Sequence, residues 1–525
     1  MMKNRYWLLT INRVQTIWRP WKLILGVFVM LVLYSCSEDV QNEVLPIVGN
    51  VEPELLQNEE TLQMISELEA LVLNANPKDY CHMNSEQAEW LHQRISIGDL
   101  HEQMNTWFQY CTQPLYAGES QACIDELKTY FEEGQEASET AVLSNNRVVF
   151  ELLALAYLRL GEQQNCQNNH TPQSCIIPIQ KAGQHQLMEG SRKAIELYTL
   201  LEKKFPDPKY MWLLNVAYMT LGEYPNQVPT DVLLNVPNRY EQQDFPGFTD
   251  VAMNVGVAQN GLSGGVCIDD FNGDGFLDIF ATSYGMEDNV KLFFNDSNGG
   301  FVDVTESAGL NGIVSGLNCI HADYDNDGFK DIFILRGAWH GKAGHHPNSL
   351  LKNNGDGTFK DVTRSAGLLS YHPTQTAAWG DFNQDGFLDL FIGNETSVGD
   401  LHPSELYQNN GDGTFKEVAK ETGLSFVEFV KGVTWGDFNN DGWPDLYVSI
   451  MGGNNKLFKN NQGKFEDISK QAGVEGPFHS FPCWFWDVNN DGLQDLLVLG
   501  YNFHLHEDVA GECARELLGE KTISE

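Results

Sequence analysis

A nine-residue acidic pattern that occurs five times constrains the fold of this chain more than any other feature. Each copy, such as "DFNNDGWPD", has Asp or Asn at positions 1, 3, 5 and 9 and glycine at position 6, between two strand-like apolar runs. The copies begin at Asp270, Asp323, Asp381, Asp437 and Asp487. Their spacing of roughly 55 residues is typical of repeat architectures.

A second motif alternates with the acidic pattern. "LLKNNGDGTFKDVTRSAGL" (350–368) and "LYQNNGDGTFKEVAKETGL" (406–424) match almost residue for residue, and looser copies occupy 292–310 and 457–474. Asn-Gly-Asp-Gly tolerates the positive φ of tight hairpin turns. With the acidic loop as a second turn, each unit is predicted to contain four short strands. Repeated four-stranded units predict β-propeller blades.

The spacing of oxygen donors predicts a calcium site in every acidic loop. Side-chain oxygens at positions 1, 3, 5 and 9, with a main-chain carbonyl at position 7, suit Ca²⁺, and glycine at position 6 permits the reversal of the chain. An EF-hand is excluded because strands flank the loop and position 9, not 12, carries the last carboxylate. The alternative is an Asx-rich turn that caps its own backbone. The predicted ligands of up to five Ca²⁺ ions are Asp270, Asn272, Asp274 and Asp278; Asp323, Asp325, Asp327 and Asp331; Asp381, Asn383, Asp385 and Asp389; Asp437, Asn439, Asp441 and Asp445; and Asp487, Asn489, Asp491 and Asp495.

The charge of the chain agrees with cationic partners. The 525 residues carry a formal net charge of −39, which argues against a nucleic-acid partner. The second loop, with four aspartates, is expected to bind calcium most tightly.

The N-terminus predicts export. Basic residues precede the apolar run Leu23–Tyr34, which is too short to span a bilayer but suits a signal peptide. The run ends in "LYSC" and resembles the lipobox of bacterial lipoproteins, so Cys36 is the predicted lipidated N-terminus. The alternative is an ordinary secretory signal with a chance cysteine.

The region before residue 240 shows helical periodicity. "VVFELLALAYLRLGE" (148–162) and "MWLLNVAYMTLGEYP" (211–225) share an ending, and such helix pairs resemble tetratricopeptide repeats. An exported protein meets an oxidising compartment, and Cys166 and Cys175 bracket a polar loop that makes them the predicted disulfide. Cys267, Cys319 and Cys483 lie in strand-like runs and are predicted to be buried thiols.

The acidic loops together with the "NNGDGTF" hairpins resemble the FG-GAP or VCBS repeats of integrin-like propellers. Over roughly 145–525 the chain is similar to exported bacterial proteins of the cartilage acidic protein type. The resemblance implies calcium at the five loops and adhesion or ligand binding on the propeller face, without established chemistry. The chain lacks the ASPIC/UnbV-like segment that often follows such propellers.

The fold class expected is therefore α + β and multidomain, with a tetratricopeptide-like helical region before an integrin-like β-propeller. The resemblance implies about seven blades, whereas five acidic loops are present here. The first repeat lacks its leading strand, so we expect an open arc with unpaired strands at Phe248–Val251 and near Leu496–Leu499, and a helix at Val509–Leu518. The expected divisions are a signal peptide (1–35), a tether (36–54), helices (55–240), blades (245–500) and a helical insert (501–525).

The sequence favours a binding protein over an enzyme, because HExxH and P-loop motifs are absent. The expected partner is an extracellular or periplasmic protein or glycan, bound by a protein lipid-anchored to a bacterial outer membrane or cell surface. One alternative is a calcium-dependent polysaccharide lyase using Arg336, His340, His345 and His346, in a loop otherwise interpreted as exposed with solvated histidines. The other is a structural scaffold that docks partners through its helices.

Overall fold

The computed structural model describes residues 57–133, 146–167, 171, 173–174, 177–237, 248–501 and 508–520. The predicted signal peptide, Cys36 and the Cys166–Cys175 disulfide lie wholly or partly outside the described residues. Helices dominate up to residue 220, and the strands lie between residues 263 and 500. This order of a helical region followed by antiparallel sheets confirms the α + β layout predicted from the sequence.

The helical region contains amphipathic helices with recognisable start signals. Asp99 and Glu102 form a reciprocal capping box at the start of one helix, and Asp207 caps another whose first residue is Pro208. The helices are α1 (Glu59–Asn74), α2 (Asn84–His92), α3 (Leu100–Tyr116), α4 (Ser120–Glu133), α5 (Arg147–Glu162), α6 (Glu189–Lys204) and α7 (Pro208–Thr220). Helices α3 to α7 contribute to one apolar core that includes Leu153 and Tyr198.

The described strands form five antiparallel sheets in chain order, four with four strands and a fifth with two. Sheet 1 has β1 (Ser263–Asp269), β2 (Asp278–Ser283), β3 (Lys291–Asn295) and β4 (Phe301–Asp303). Sheet 2 has β5 (Asn318–Ala322), β6 (Asp331–Leu335), β7 (Ser349–Asn353) and β8 (Phe359–Asp361). Sheet 3 has β9 (Thr374–Gly380), β10 (Asp389–Asn394), β11 (Glu405–Asn409) and β12 (Phe415–Glu417). Sheet 4 has β13 (Val430–Gly436), β14 (Asp445–Ile450), β15 (Lys456–Asn460) and β16 (Phe465–Asp467), and sheet 5 has β17 (Ser480–Trp486) and β18 (Asp495–Gly500).

The second strand of sheets 2, 3 and 4 is buried along its whole length. Apolar residues of neighbouring sheets share cores, and one such core contains Phe333 of β6 together with Leu390 of β10. Cys267, Cys319 and Cys483 are buried thiols, as predicted, with the first two Sγ atoms 3.4 Å apart. One-turn helices α8 (Ala252–Val255), α9 (Ala419–Thr422) and α10 (Ser469–Ala472) each end at a left-handed glycine.

The segments at the two ends of the sheet array differ from the sequence expectation in one respect. Phe248–Val251 does not form a strand, although an unpaired strand was expected there. Strand β18 pairs with β17, and no second partner of β18 lies within the described residues. Helix α11 (Val509–Leu518) forms as expected and packs against α7 rather than against the first sheet.

Helix α1 packs directly on the sheets, which the sequence did not predict. Met64 and Leu68 enter the apolar core shared by sheets 1 and 2. The Thr61 hydroxyl oxygen accepts a hydrogen bond from the Asp361 N–H of β8 at 2.9 Å, so α1 satisfies a donor on the last strand of sheet 2.

Among the helices described, none is both long enough and apolar enough to cross a bilayer.

Candidate cation-binding loops and the opposite end of the sheets

Each acidic loop joins the first strand of a sheet to the second, and its position-9 aspartate is the first residue of that second strand. In sheets 1 to 4 this side chain is fully buried. Asp278 accepts hydrogen bonds from the N–H groups of Asn295 at 2.9 Å and Phe271 at 3.0 Å. The carboxylate therefore ties its own loop to the third strand of the same sheet.

Burial changes the acidity of these position-9 carboxyl groups. Desolvation raises the pKa of Asp278 to about 6, of Asp331 to about 8, of Asp389 to about 7 and of Asp445 to about 6, and the other loop aspartates add to the increase. Ionising these groups therefore costs free energy, and a nearby cation lowers that cost.

The first aspartate of each loop caps the loop backbone. Asp437 Oδ1 accepts from the Asp441 N–H at 3.1 Å, and Oδ2 accepts from the Gly442 N–H at 2.8 Å. Gly442 has φ +90°, which only glycine adopts readily. This geometry is the backbone-capping turn that the sequence left open as an alternative. An ionised carboxylate has about four acceptor sites, so capping leaves lone pairs for a cation.

Position 4 of the loop was not singled out from the sequence, yet it links successive loops. Asn326, Gln384 and Asn440 all have φ between 55° and 60°. The Asn326 amide donates to the Gly386 carbonyl of the next loop at 3.0 Å, and Gln384 donates to the Gly442 carbonyl in the same way. The repetition of an amide residue at position 4 was the feature of the sequence that could have indicated this role.

The geometry of the second acidic loop shows whether its aspartates can bind a divalent cation. Oxygen atoms of Asp323, Asp325 and Asp327 lie within 4.8 Å of one another. Asp325 Oδ1 is buried and has no hydrogen-bond partner among the described residues, so the donor set fits a cation. The Lys352 ammonium, however, already pairs with Asp325 and lies 3.1 Å from Asp327 Oδ2. The number of aspartates alone therefore does not make loop 2 the tightest calcium site.

A lysine side chain also contacts a loop aspartate in sheet 4. Lys459 Nζ lies 3.4 Å from Asp441 Oδ2 in loop 4. The residues at the corresponding position before the terminal asparagine are Phe294 in sheet 1 and Gln408 in sheet 3. The five loops thus share the same backbone conformation, but they differ in whether a lysine ammonium group competes with a cation for their side-chain oxygens.

Asparagines at the end of the third strands join neighbouring sheets, and sequence reasoning missed this role. The Asn409 amide donates to the Tyr324 carbonyl of loop 2 at 2.8 Å and to the Leu388 carbonyl of its own loop at 3.1 Å. Asn353 and Asn460 make the same contacts one sheet earlier and one sheet later. Their signal was the asparagine that precedes each predicted hairpin turn.

The polar loop 336–349 lies at the opposite end of the sheets, since it joins the second strand to the third. Arg336 is fully buried and donates to the carbonyls of Val314 and Pro347. His340 and His346 are also buried, so the interpretation of solvated histidines is wrong for both. The four residues of the lyase alternative do not form one exposed set, because only His345 is exposed.

The helical region covers part of this loop. The Tyr80 hydroxyl lies 3.2 Å from the Ala343 carbonyl oxygen and 3.3 Å from His346 Nε2. The His340 ring stacks on Tyr284 with ring centroids 4.8 Å apart. Burial lowers the pKa of His340 to about 4, which keeps this imidazole neutral at pH 7.

A buried ion pair beside this loop was also missed. The side chains of Lys431 and Glu395 pair with almost no exposure, and Lys431 Nζ lies 3.3 Å from the ring centroid of Trp339. Burial lowers the pKa of Lys431 to about 8. Gln375 accepts a further hydrogen bond from this ammonium group at 2.8 Å. The pair joins sheets 3 and 4 through partners that are distant in sequence.

Repeated four-stranded antiparallel sheets with an acidic loop after each first strand define a repeat class. The FG-GAP-like repeat family matches residues 270–334, 323–392, 395–448 and 437–498. The chain therefore contains FG-GAP-like repeats.

The chain is distantly homologous to cartilage acidic protein 1. It is 29% identical over 213 residues to the protein from Xenopus tropicalis, covering 37% of this chain and 32% of the relative, and 28% identical over 204 residues to that from Mus musculus, covering 38% and 30%. The chain thus spans about a third of the length of these relatives. The Vibrio cholerae biofilm matrix protein Bap1 matches at 15% identity and a TM-score of 0.27, covering 47% of this chain and 37% of that one, which is too low to assign a common fold.

Proposed function

We propose that this protein binds calcium through its acidic loops and uses a β-propeller to hold an extracellular or periplasmic protein or glycan. The observation that carries the proposal is the oxygen cluster of loop 2, in which three aspartates converge and Asp325 Oδ1 has no hydrogen-bond partner among the described residues. Repetition of the same loop in all five sheets extends the proposal to five sites.

The proposed ligands in each loop are the side chains at positions 1, 3, 5 and 9 with the carbonyl at position 7. Calcium would supply the positive charge that lets these carboxyl groups stay ionised while close together. The chain's own contribution is to hold the oxygens in place: position 1 caps the loop, and position 9 is fixed by the N–H of a third-strand asparagine. The loops then act as rigid corners that present the faces of the sheets to a ligand.

The direct test is a calcium titration of the purified chain by isothermal calorimetry. We expect several sites with dissociation constants below millimolar, and one site fewer, or one weakened, in Asp325→Ala. Asp412→Asn is the matched control, because Asp412 is an exposed turn aspartate at the same end of sheet 3, outside the acidic loops. Absence of calcium binding, or equal loss in both variants, would contradict the proposal.

We further propose that the protein is exported and anchored through lipidated Cys36 to a bacterial outer membrane or cell surface. The support is the basic and apolar order of residues 1–36. A Cys36→Ala protein should leave the membrane fraction while the unchanged chain stays there. Equal partitioning of the two would contradict the lipid anchor.

The binding function is distinguished from the enzymatic and scaffold alternatives by one set of assays. Burial of Arg336, His340 and His346 leaves His345 as the only exposed residue of the lyase alternative. We expect saturable, calcium-dependent binding to acidic polysaccharides or matrix proteins without turnover. Turnover would establish the enzyme, and binding confined to residues 55–240, the tetratricopeptide-like region, would establish the scaffold.

A further inference from the structure

A second cluster of metal-type ligands lies at the end of the sheets opposite the acidic loops. His345 belongs to the connection between β6 and β7, and Asp400 and His402 belong to the connection between β10 and β11. Asp400 Oδ2 lies 3.0 Å from His345 Nε2 and 3.1 Å from His402 Nε2. One carboxylate oxygen thus faces two imidazole nitrogens from neighbouring sheets.

The buried imidazole of His402 is the observation that points to a ligand. His402 is 4% exposed, and its Nε2 makes no hydrogen bond of acceptable geometry within the described residues, despite its short distance from Asp400. On the other side of the ring, His402 Nδ1 lies 2.7 Å from His372 Nδ1. A contact between two ring nitrogens requires one proton between them. When His402 donates that proton, its neutral Nε2 turns a lone pair toward the carboxylate.

A lone pair and a carboxylate oxygen at this distance repel each other, and a cation between them removes the repulsion. We propose that His345, Asp400 and His402 bind a divalent first-row transition metal of the zinc type, with His372 orienting His402. Two imidazoles select such a metal over calcium, which prefers oxygen ligands. A tetrahedral zinc site with bonds of about 2.0–2.1 Å places ligand atoms about 3.3 Å apart, within a few tenths of an ångström of the distances observed.

The surroundings hold the ligands in place and leave one side open. The Ser397 N–H donates to the Asp400 carbonyl at 2.9 Å, and the Asp400 N–H donates to the Ser397 carbonyl at 3.0 Å, so the turn that carries Asp400 is closed. The Thr396 hydroxyl also donates to the Asp400 carbonyl. The side chain of His345 is 48% exposed, which provides an entry path. Three protein ligands leave a fourth position for water or for a carboxylate of a bound molecule.

The test is a Zn²⁺ titration of the full chain in excess calcium, which keeps the acidic loops occupied. The background carries Cys81→Ser, because Cys81 is exposed and its Sγ lies 3.3 Å from His82 Nε2, a separate soft-ligand pair. We expect one zinc per chain, and a loss of at least tenfold in affinity in both His402→Ala and Asp400→Asn. His372→Phe keeps the ring but removes the orienting nitrogen, and should weaken binding about 10–100-fold.

His101→Gln is the matched control, because His101 is an exposed histidine of α3 in the helical region. Circular dichroism of each variant establishes that it is folded, and Asp400→Asn changes the shape of the side chain least. Co²⁺ provides a second readout, since imidazole ligation changes its visible absorption. Stoichiometric zinc binding that survives both His402→Ala and Asp400→Asn, or no zinc binding by the unchanged chain, would overturn the proposal, whatever the result of the calcium titration.

Discussion

The two ends of the sheets carry polar clusters that are built in opposite ways. At one end, each acidic loop places its side chains within nine consecutive residues and repeats the same capping contacts in every sheet. At the other end, His345, His372 and His402 come from three different connections that share no motif. The first arrangement is local and periodic, and the second exists only because sheets 2 and 3 are neighbours.

The difference predicts how each end responds to substitution and to metal. A local loop keeps its backbone when one neighbour changes, so its losses should be confined to one site. A cluster assembled from several connections depends on the packing between sheets. The largest effect should come from the acidic loops together, because they are repeated.

Removal of calcium should therefore give the largest change. A ligand present at 100 times its dissociation constant adds about 2.7 kcal/mol per site, and about 1 kcal/mol shifts the midpoint of a domain of this size by roughly 2–4 °C. A chelator should lower the unfolding temperature of the sheets by roughly 10 °C or more if two sites are filled. Hydrogen exchange measured by mass spectrometry should show a loss of amide protection in β1–β18 and little change in protection in α5–α7. Equal destabilisation of both regions would contradict local calcium sites.

The contacts between sheets should come second. Asn409→Ala removes the amide that donates to two backbone carbonyls, and leaving such acceptors unsatisfied costs about 1–3 kcal/mol. Asn410→Ala is the matched control, since its exposed amide donates to Thr414 of the same turn, and should change the free energy of unfolding by less than about 0.5 kcal/mol. Denaturant unfolding at fixed calcium measures both. Equal costs would show that the asparagine bridge does not stabilise the array.

The β7 lysine that pairs with loop 2 should give a smaller effect with an opposite sign. Lys352→Gln removes the ammonium that competes for Asp325 and Asp327, so the calcium affinity of that loop should rise on the order of tenfold, or about 1.4 kcal/mol. Gln occupies the corresponding position in sheet 3, so the side chain is compatible with the strand. Lys459→Gln should have a smaller effect, because Lys459 contacts one loop aspartate at 3.4 Å. Calorimetry that finds weaker calcium binding in Lys352→Gln would contradict the competition.

Acidification should act separately, at the opposite end of the sheets. The pKa of His340 is lowered by burial to about 4, whereas the unfolded chain has a value near 6.5. Between these values the unfolded state binds more protons, so the stability present above pH 6.5 is lost as the pH falls toward 4.

For His340 the loss is up to about 1.4 kcal/mol per pH unit. The groups that face this ring are Tyr80, His82, Tyr284 and His346. His340→Gln should make the difference in unfolding free energy between pH 7.5 and pH 5 smaller, while His101→Gln should leave it unchanged. An identical pH dependence in His340→Gln would show that this imidazole is not the titrating group.

Several features could be predicted from the sequence because their determinants lie close together along the chain. The hairpin turns, the four strands per unit and the capped acidic loops depend on residues within nine or ten positions of one another. The helical periodicity of 148–162 and 211–225 likewise predicted α5 and α7. Buried thiols followed from apolar neighbours in the same strand.

Only the tertiary structure decided which of these local units touch. The packing of α1 on β8, the Asn409 bridge, the Lys431–Glu395 pair and the His345–Asp400–His402 cluster all join residues that are far apart in sequence. Hydrophobic periodicity identifies the apolar face of a helix or strand, but it does not identify which other element packs against that face. The burial of His340 likewise depends on tertiary contacts. Tyr80 of the helical region covers the loop 336–349, whose polar sequence had indicated that it is exposed.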